Sequence, residues 1–248
     1  MNSSQTVVIT GASRGIGAAL ALGCGRAGYR VVVNYLEREV EASQTVSKIH
    51  GLGGQAFSVK ADVRDPQSVE ALFQRVAREF GECHCLVNNA HTPFAPTALS
   101  ELHWEDFQHQ VDGSLKSVFL CCKAALPLLQ KGGAILNMSS VTVRKPALGF
   151  CHRSAVKGAV EALTRNLALE LADRKVRVNA LSIGWTSTDQ VHGIGDGERR
   201  RQVDAIPLGR LARPEEIADT ALFLLSERAS FITGMVFPVD GGADGVVR

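Results

Sequence analysis

The sequence predicts an α/β protein built on a doubly wound, seven-stranded parallel sheet with helices on both faces. Short β-branched apolar runs alternate with segments of helical periodicity along all 248 residues, and a glycine-rich turn directly follows the first run. The runs show little alternation of polar and apolar residues, which is typical of strands buried on both faces. Segments in this order predict a Rossmann-type fold, whose ligand crevice lies at the carboxyl ends of the strands.

The individual elements follow from the same patterns. Strands are predicted at residues 6–10, 30–34, 56–59, 85–88, 134–138, 177–183 and 235–239. Helices are predicted at residues 15–27, 37–50, 66–80, 104–129, 151–171 and 214–225, several of them opened by proline or a capping residue. No repeat or low-complexity linker interrupts the series, so we expect one domain over residues 1–248. The glycine-rich, charged stretch 186–207 is either a substrate lid or a surface loop.

Composition excludes several classes of function. The formal net charge is +2 with both signs mixed along the chain, which argues against nucleic-acid and membrane partners. The first ten residues do not resemble a leader peptide, and no apolar stretch is long enough to span a bilayer, so we expect a cytoplasmic protein. The six cysteines match no zinc spacing, and we interpret them as reduced, small apolar residues with no metal site.

The strongest local signal lies after the first predicted strand, where a glycine-rich turn leads directly into a helix. Glycines permit a tight turn and a close backbone approach, while a helix N-terminus offers free N–H groups to a pyrophosphate. A glycine-rich turn alone is weak evidence, but its position after strand one strengthens it. The predicted dinucleotide contacts here are Gly11, Ser13, Arg14, Gly15, Ile16 and Gly17.

Residues after the second and third strands, together with Arg14, bear on the predicted cofactor. The second strand ends at Asn34 and Tyr35, with no acidic residue where NAD sites hold the ribose hydroxyls. Because the guanidinium of Arg14 suits a 2′-phosphate, we predict NADP(H). After strand three, Asp62 and Val63 are predicted to contact the adenine, although Asp62 is also placed to cap the helix that begins at Pro66.

These signals combine into a recognisable set. Thr-Gly-x-x-x-Gly-x-Gly begins at Thr10, Asn88-Asn89-Ala90 follows strand four, and Pro-Glu-Glu-Ile-Ala from Pro214 precedes Asp-Gly-Gly from Asp240. The chain resembles the short-chain dehydrogenase/reductase family over its whole length, and most closely the β-ketoacyl carrier-protein reductases. The resemblance implies a small-molecule substrate, hydride transfer from the nicotinamide, an Asn-Ser-Tyr-Lys catalytic set, and a homo-oligomer, either a tetramer or a dimer.

The catalytic set transfers to this sequence only in part. The resemblance assigns Ser140 to the serine that hydrogen-bonds the substrate oxygen and Lys157 to the lysine that binds the ribose. Four residues before that lysine, where the family has its proton-donating tyrosine, the chain has Arg153. Enoyl reductases of the same family place a tyrosine seven residues before the lysine, but Phe150 stands there.

Other departures fall in the same region. The family asparagine that holds a proton-relay water corresponds to Ser114, and His91 stands where the family has glycine. After strand six the usual Pro-Gly becomes Ile-Gly at Gly184, whereas Thr188 matches a threonine that contacts the carboxamide. The resemblance therefore adds cofactor contacts at Asn89, Ala90, Lys157, Gly184 and Thr188.

An arginine at the tyrosine position changes the chemistry that is available. Its guanidinium stays charged at working pH and cannot donate a proton, but it can stabilise an alkoxide or enolate, or clamp a carboxylate. Protons would then come from His152, His91, Cys151 or water. For His152 a solvent-facing position at the helix start is an equal alternative, and for His91 we favour a steric or surface role.

The sequence is compatible with three functions. The first is an NADP(H)-dependent reductase of a C=C, C=N or activated C=O bond in a small or carrier-bound substrate. The second is a non-redox isomerase, lyase or cyclase on the same scaffold, using Arg153 and a histidine. The third is a catalytically silent nucleotide-binding partner, with Arg153 the result of drift. We favour the first, because Ser140, Lys157 and Thr188 all still match the family.

Overall fold

The computed structural model describes residues 5–189 and 195–245, and its centre is a seven-stranded sheet. All described strand pairs are parallel, and the order across the sheet is β3-β2-β1-β4-β5-β6-β7. The strands are β1 Thr6–Ile9, β2 Arg30–Tyr35, β3 Gln55–Lys60, β4 Cys83–Asn88, β5 Leu129–Ser140, β6 Arg177–Ile183 and β7 Val236–Val239. The predicted Rossmann-type architecture is confirmed.

Helices connect the strands on both faces. They are α1 Gly15–Arg26, α2 Glu39–Gly51, α3 Pro66–Phe80, α4 Trp104–Gln110, α5 Ser117–Ala125, α6 Cys151–Glu170, α7 Asp196–Asp204 and α8 Pro214–Leu225. Among the described residues, none of these helices is long and apolar enough to cross a membrane.

Side chains that alternate along the strands supply two cores. Val7 and Ile9 of β1 point into the core formed with α1, α2 and α8. Val8, between them, points into the opposite core, formed with α3, α5 and α6. Because successive residues of a strand face opposite sides, one apolar strand serves both layers, and this explains the missing polar alternation in the sequence.

The predicted helix at residues 104–129 is wrong as a single element. The structure divides it into α4, a π-helical stretch at Val111–Lys116, and α5. Within the π-helical stretch a Cβ on Gly113 would come within 2.3 Å of the Thr92 side chain, so the backbone passes unusually close to the preceding loop. The helix ends at Ala125, shortly before Pro127, and β5 begins at Leu129.

A second difference concerns the stretch 186–207, for which we predicted no helix. Residues 195–207 include α7, a highly charged helix whose sequence offers too little apolar periodicity to be recognised. Ile206, just after it, is buried in a small cluster with Val141, Leu211 and Ala243. Residues 190–194, which belong to the same stretch, lie outside the described residues.

Most of the cysteines are packed in the interior. Five of the six are buried and Cys151 is exposed, and all six are free thiols. Burial raises the pKa of Cys85 and Cys122 to about 12, so these thiols stay protonated at neutral pH. Within the described part of the chain no group of three or more histidine, cysteine or acidic side chains is arranged to hold a metal ion.

Candidate active site

The glycine-rich turn between β1 and α1 is packed so closely that side chains are excluded. A Cβ on Gly17 would lie 2.3 Å from the Gly11 carbonyl oxygen and 2.7 Å from the Asn89 side chain. Gly11 itself has a φ of +61°, and a Cβ there would lie 2.9 Å from the Ala90 Cα. Both positions therefore require glycine.

Asn34, at the end of β2, braces this turn from one side. Its Oδ1 accepts a hydrogen bond from the Gly11 N–H at 3.2 Å, and its Nδ2 donates to the Ala61 carbonyl at 3.0 Å. The side chain is buried and its polar atoms are engaged in these bonds. Asn34, a predicted cofactor contact, thus links the glycine-rich turn after β1 to the end of β3.

Asn89 and Thr10 brace the turn from the other side. The Asn89 amide donates to the carbonyls of Thr10 and Gly11 at 2.9 and 3.0 Å. The Thr10 hydroxyl accepts the backbone N–H groups of Asn89 and Ala90, both at 3.0 Å. The loops after β1 and β4 are thereby joined into one rigid edge of the crevice.

The N-terminus of α1 opens into the same edge. The first turn of this helix carries no acidic side chain, and its N-cap position, Arg14, makes no capping bond through its side chain. Arg14 is exposed and pairs with Asp189 at 3.3 Å, a weak contact because both side chains are largely solvated. Free N–H groups, a helix dipole and an exposed guanidinium together suit a phosphorylated dinucleotide.

The loop after β6 closes this side of the crevice. A Cβ on Gly184 would lie 2.7 Å from the Asp240 Cα, so glycine is required where the β6 and β7 ends meet. Thr188 lies against Gly15, with its Cγ2 3.4 Å from the position of a Cβ on that glycine. Ser13 and Ile16, also predicted cofactor contacts, are half-buried on the turn between these loops.

Asp62 and Val63 follow β3, which lies across β2 from the strand that leads into the glycine-rich turn. Val63 is buried, whereas Asp62 forms a paired set of hydrogen bonds with Arg64, the shortest at 2.7 Å. These bonds hold the pKa of Asp62 below its ordinary value. The alternative that Asp62 caps the next helix is wrong, because Asp65 does so by accepting the Ser68 N–H at 2.8 Å.

Ser140 and Lys157 lie at the carboxyl end of β5 and on α6, and both are buried. The Ser140 oxygen accepts the Thr142 backbone N–H at 3.4 Å, which leaves its own proton available. The Lys157 ammonium donates to the Met138 carbonyl at 2.7 Å. Burial first, and the positive Arg153 side chain second, lower the pKa of Lys157 to about 7.

Arg153 and His152 lie under Phe94, a residue of the loop after β4. The Arg153 Cζ lies 4.5 Å from the centre of the Phe94 ring, and the His152 ring lies 5.8 Å from it. His152 is buried, so the alternative that it faces solvent is wrong. Burial and the nearby Arg153 lower the pKa of His152, and burial lowers the pKa of Arg153 to about 10.

Three further predicted groups are Ser114, His91 and Cys151. Ser114 is buried in the π-helical stretch between α4 and α5, a type of local irregularity that is common at functional sites. His91 and Cys151, two of the predicted proton sources, are exposed.

The chain is similar to known proteins in both sequence and structure. The sequence profile described as enoyl-(acyl carrier protein) reductase matches residues 11–244. The chain belongs to the short-chain dehydrogenase/reductase family. It is 36% identical over 244 residues to the 3-oxoacyl-(acyl-carrier-protein) reductase FabG of Staphylococcus aureus, covering 98% of this chain and 99% of that protein. The corresponding Synechocystis reductase is 39% identical over 243 residues, covering 97% of both chains.

Other relatives in the short-chain dehydrogenase/reductase family have different names. Glucose 1-dehydrogenase 2 of Bacillus subtilis is 36% identical over 244 residues, covering 97% of this chain and 95% of that one. A double mutant of a short-chain dehydrogenase/reductase from Serratia marcescens superposes with a TM-score of 0.93 at 27% identity, over 97% of this chain and 98% of its own. The angucycline C-6 ketoreductase LanV with bound NADP gives 0.92 at 32% identity, over 96% and 95%.

Several residues that shape this reductase-like site were not predicted. Phe94 carries no periodic or motif signal, and its partners are more than fifty residues away in the chain. Glu161 is buried and accepts a hydrogen bond from Ser139, next to Ser140, at 2.7 Å. The sequence signal for Glu161 was its spacing. It stands four positions after Lys157, and helical residues four apart share a face.

Proposed function

We propose that the chain is an NADP(H)-dependent reductase of a C=C, C=N or activated C=O bond, with Arg153 in place of the family tyrosine. The observation that carries the proposal is the glycine-rich turn at Gly11, which Asn34 and Asn89 brace from both sides and which we interpret as a dinucleotide cradle. The NADP-bound structural relative LanV and the reductase names of the sequence relatives support it.

The residues present fit such a cofactor. Gly11 and Gly17 leave the backbone of the turn accessible to a pyrophosphate, and the N-terminus of α1 would face it. Arg14 would pair with a 2′-phosphate in place of its weak contact with Asp189. When bound, NADPH supplies the hydride that adds to one atom of the reduced double bond and is itself oxidised to NADP⁺.

The chain's own residues have to stabilise and protonate the other atom of that bond. Ser140 can donate its hydroxyl proton in a hydrogen bond to a substrate oxygen, since its oxygen already accepts the Thr142 N–H. Arg153 adds a fixed positive charge in a water-poor environment, where it stabilises developing negative charge more strongly than in water. Lys157, with a pKa of about 7, is partly protonated at neutral pH and so is poised to release a proton.

The experiment combines nucleotide titration with a substrate panel. We expect calorimetry to show tighter binding of NADPH than of NADH. In absorbance assays, activated carbonyl compounds, enones and imines should support NADPH oxidation by the parent protein, whereas simple ketones should react slowly. A positioned general acid contributes roughly 10²- to 10⁴-fold, so Arg153→Tyr should raise simple-ketone reduction by at least about tenfold.

Two outcomes would contradict the proposal. If no nucleotide binds, the cradle is not a cofactor site and the protein is not a reductase. If NADPH binds but no compound in the panel causes its oxidation, in the parent or in Arg153→Tyr, a non-redox enzyme or a silent binding protein becomes the better account. Arg153→Ala separates a role for the guanidinium from tolerance of any residue at this position.

We further propose a homo-oligomer in the cytoplasm. A groove between α5 and α6 is lined by Phe119, Leu126, Leu163 and Leu167, and Leu169 nearby is 79% exposed. A second copy of the chain would cover this apolar surface, and light scattering of the purified protein measures the number of copies.

The stretch 186–207 remains our prediction for the substrate lid.

A further inference from the structure

The region around Arg153 has an excess of positive charge. Two cationic side chains, Arg153 and Lys157, lie one helical turn apart on α6; Lys157 is buried and Arg153 is half-buried. Among the described residues Arg153 forms no ion pair, and its buried Nη1 has no hydrogen-bond partner. Within the described part of the chain Lys157 donates a hydrogen bond to a backbone carbonyl alone, that of Met138. A buried guanidinium without a carboxylate is costly, and native sites usually supply an anion for it.

The free donors of Arg153 are held in a defined position. Its guanidinium contacts the ring of Phe94, and an aromatic ring offers a cation–π attraction without consuming a conventional N–H hydrogen bond. The planar fork of donors is therefore still available for a second partner. Because such a fork matches the two oxygens of a carboxylate, the natural partner is a bidentate carboxylate.

Phe94 is itself fixed, so this arrangement does not depend on a loose loop. The Gln110 amide donates to the Thr92 hydroxyl and to the Pro93 carbonyl, both at 3.1 Å, immediately before Phe94. After it, the Thr97 N–H donates to the Gly149 carbonyl at 3.0 Å. The loop after β4 is thus bonded to the end of α4 and to the residues just before α6. These bonds hold Phe94 in a fixed position against Arg153.

Among the described residues no carboxylate pairs with Arg153, although the charge of Asp106 on α4 acts on the neighbouring His152. His152 contacts the same ring and stays uncharged at neutral pH, because burial and Arg153 both lower its pKa. Glu161, the buried carboxylate on the same helix, is bonded to Ser139. Arg153 therefore has no anionic partner in the described part of the chain, and its planar fork of donors matches a carboxylate.

We propose that the substrate carries a carboxylate close to the bond that is reduced, and that Arg153 binds this carboxylate while Ser140 contacts the reacting oxygen. The inference rests on the proposed reductase function for the reacting bond, but the carboxylate subsite stands on the unpaired guanidinium alone. It assigns the substrate to the class of short oxo acids or enoic acids. Neutral carbonyl compounds of the same size lack the second partner that Arg153 requires.

The test uses two pairs of compounds that differ in charge and little else. Oxamate and its neutral analogue oxamide, neither reducible at the carbonyl under assay conditions, are titrated calorimetrically into the protein with and without NADP⁺. Acetoacetate and methyl acetoacetate are compared as substrates for NADPH oxidation. We expect at least tenfold tighter binding of oxamate than of oxamide, and the same preference for acetoacetate over its ester in kcat/KM.

Variants assign the preference to one side chain. Arg153→Gln keeps the length and polarity of the side chain and should remove the preference for the anions, whereas Arg153→Lys should retain part of it. Arg165→Gln changes an exposed arginine on the same helix and should leave binding unchanged. Thermal unfolding of each variant shows whether it is folded, and Arg153→Gln should be no less stable than the parent because it removes an unpaired buried charge.

The outcomes separate this inference from the reductase proposal. Equal binding of oxamate and oxamide by the parent, or unchanged oxamate binding by Arg153→Gln, would overturn the carboxylate subsite. Oxamate preference without any NADPH oxidation would leave the subsite intact and remove the reductase proposal. Reduction of neutral ketones with no preference for the acids would support the reductase proposal and overturn the carboxylate subsite.

Discussion

The two halves of the crevice use their polar groups in opposite ways. On the nucleotide side the amides of Asn34 and Asn89 are bonded to the backbone of the glycine-rich turn. On the catalytic side the buried Nη1 of Arg153 and Nδ1 of His152 have no partner among the described residues. The chain thus braces its glycine-rich turn with its own side chains, whereas Arg153 and His152 each keep a buried polar atom unbonded within the described residues.

The two sides also differ in the substitutions that they tolerate. A cradle defined by close backbone contacts is damaged by added atoms, whereas a centre with enclosed, unpaired cations gains stability when a charge is removed. Variants on each side test this contrast, and each has an outcome that would contradict it.

The largest effect is expected from Gly17→Ala, which tests the cradle. The new Cβ would lie 2.3 Å from the Gly11 carbonyl oxygen and would push the turn out of place. Overpacking of this kind costs roughly 3 kcal/mol, equivalent to about a 100-fold loss of NADPH affinity measured by calorimetry. Gly51→Ala is the matched control, since nothing lies within 4 Å of a Cβ there. Normal NADPH binding by Gly17→Ala would show that the turn does not define the site.

The second prediction concerns the catalytic side and pH. The pKa of Lys157 falls from 10.5 to about 7 on folding, so its ammonium form is disfavoured in the folded protein. Below pH 7 the whole penalty applies, and between pH 7 and 10.5 the unfolded chain binds a proton that the folded chain does not, so the contribution of Lys157 to stability rises with pH. Lys157→Met should therefore be more stable than the parent at pH 6, by about 2 kcal/mol.

Urea denaturation at pH 6, 8 and 10 measures this difference. The advantage of Lys157→Met should shrink as the pH rises, because the parent then loses its penalty. Comparing variant with parent at each pH removes the opposite slope that the buried cysteines contribute, since burial raises the pKa of groups such as Cys85. A variant that is less stable than the parent at pH 6 would mean that Lys157 is not an electrostatic liability.

Asn34→Ala is expected to have a smaller effect, on the stability of the cradle. The change leaves the Gly11 N–H and the Ala61 carbonyl without their partner. Leaving such buried groups unpaired costs about 1.5 kcal/mol in the free energy of unfolding, measured by urea denaturation. Asn166→Ala, which removes an exposed asparagine bonded within α6, should change it by less than about 0.5 kcal/mol. Equal stabilities of the two variants would remove the bracing role of Asn34.

The smallest effect is expected from Arg14→Ala and appears only in cofactor selectivity. The ion pair of Arg14 with Asp189 is solvated, so its loss should leave stability unchanged. Losing a contact to the 2′-phosphate should weaken NADPH binding about tenfold, or about 1.4 kcal/mol, without affecting NADH. Arg26→Ala, at the other end of α1, is the control. If Arg14→Ala weakens both nucleotides equally, the 2′-phosphate is recognised elsewhere.

Much of the fold was predictable because burial leaves a mark in the sequence. The strands around Val7 to Ile9 and Val31 to Val33 are apolar on both faces, and that pattern is specific to a covered parallel sheet. The division of residues 104–129 was not predictable, because it depends on Gly113 meeting Thr92 from a different loop. Helix α7 escaped prediction for a related reason, since its charged sequence carries almost no apolar face.

The sequence by itself determined the family, the glycine-rich cradle and the presence of Arg153 where a tyrosine is expected, because each of these is a matter of residue type at a fixed spacing. Only the tertiary structure decided that His152 is buried, that Asn34 braces the turn, and that Phe94 supports an unpaired Arg153. Burial and missing partners arise between segments far apart in the chain, and local patterns do not encode them.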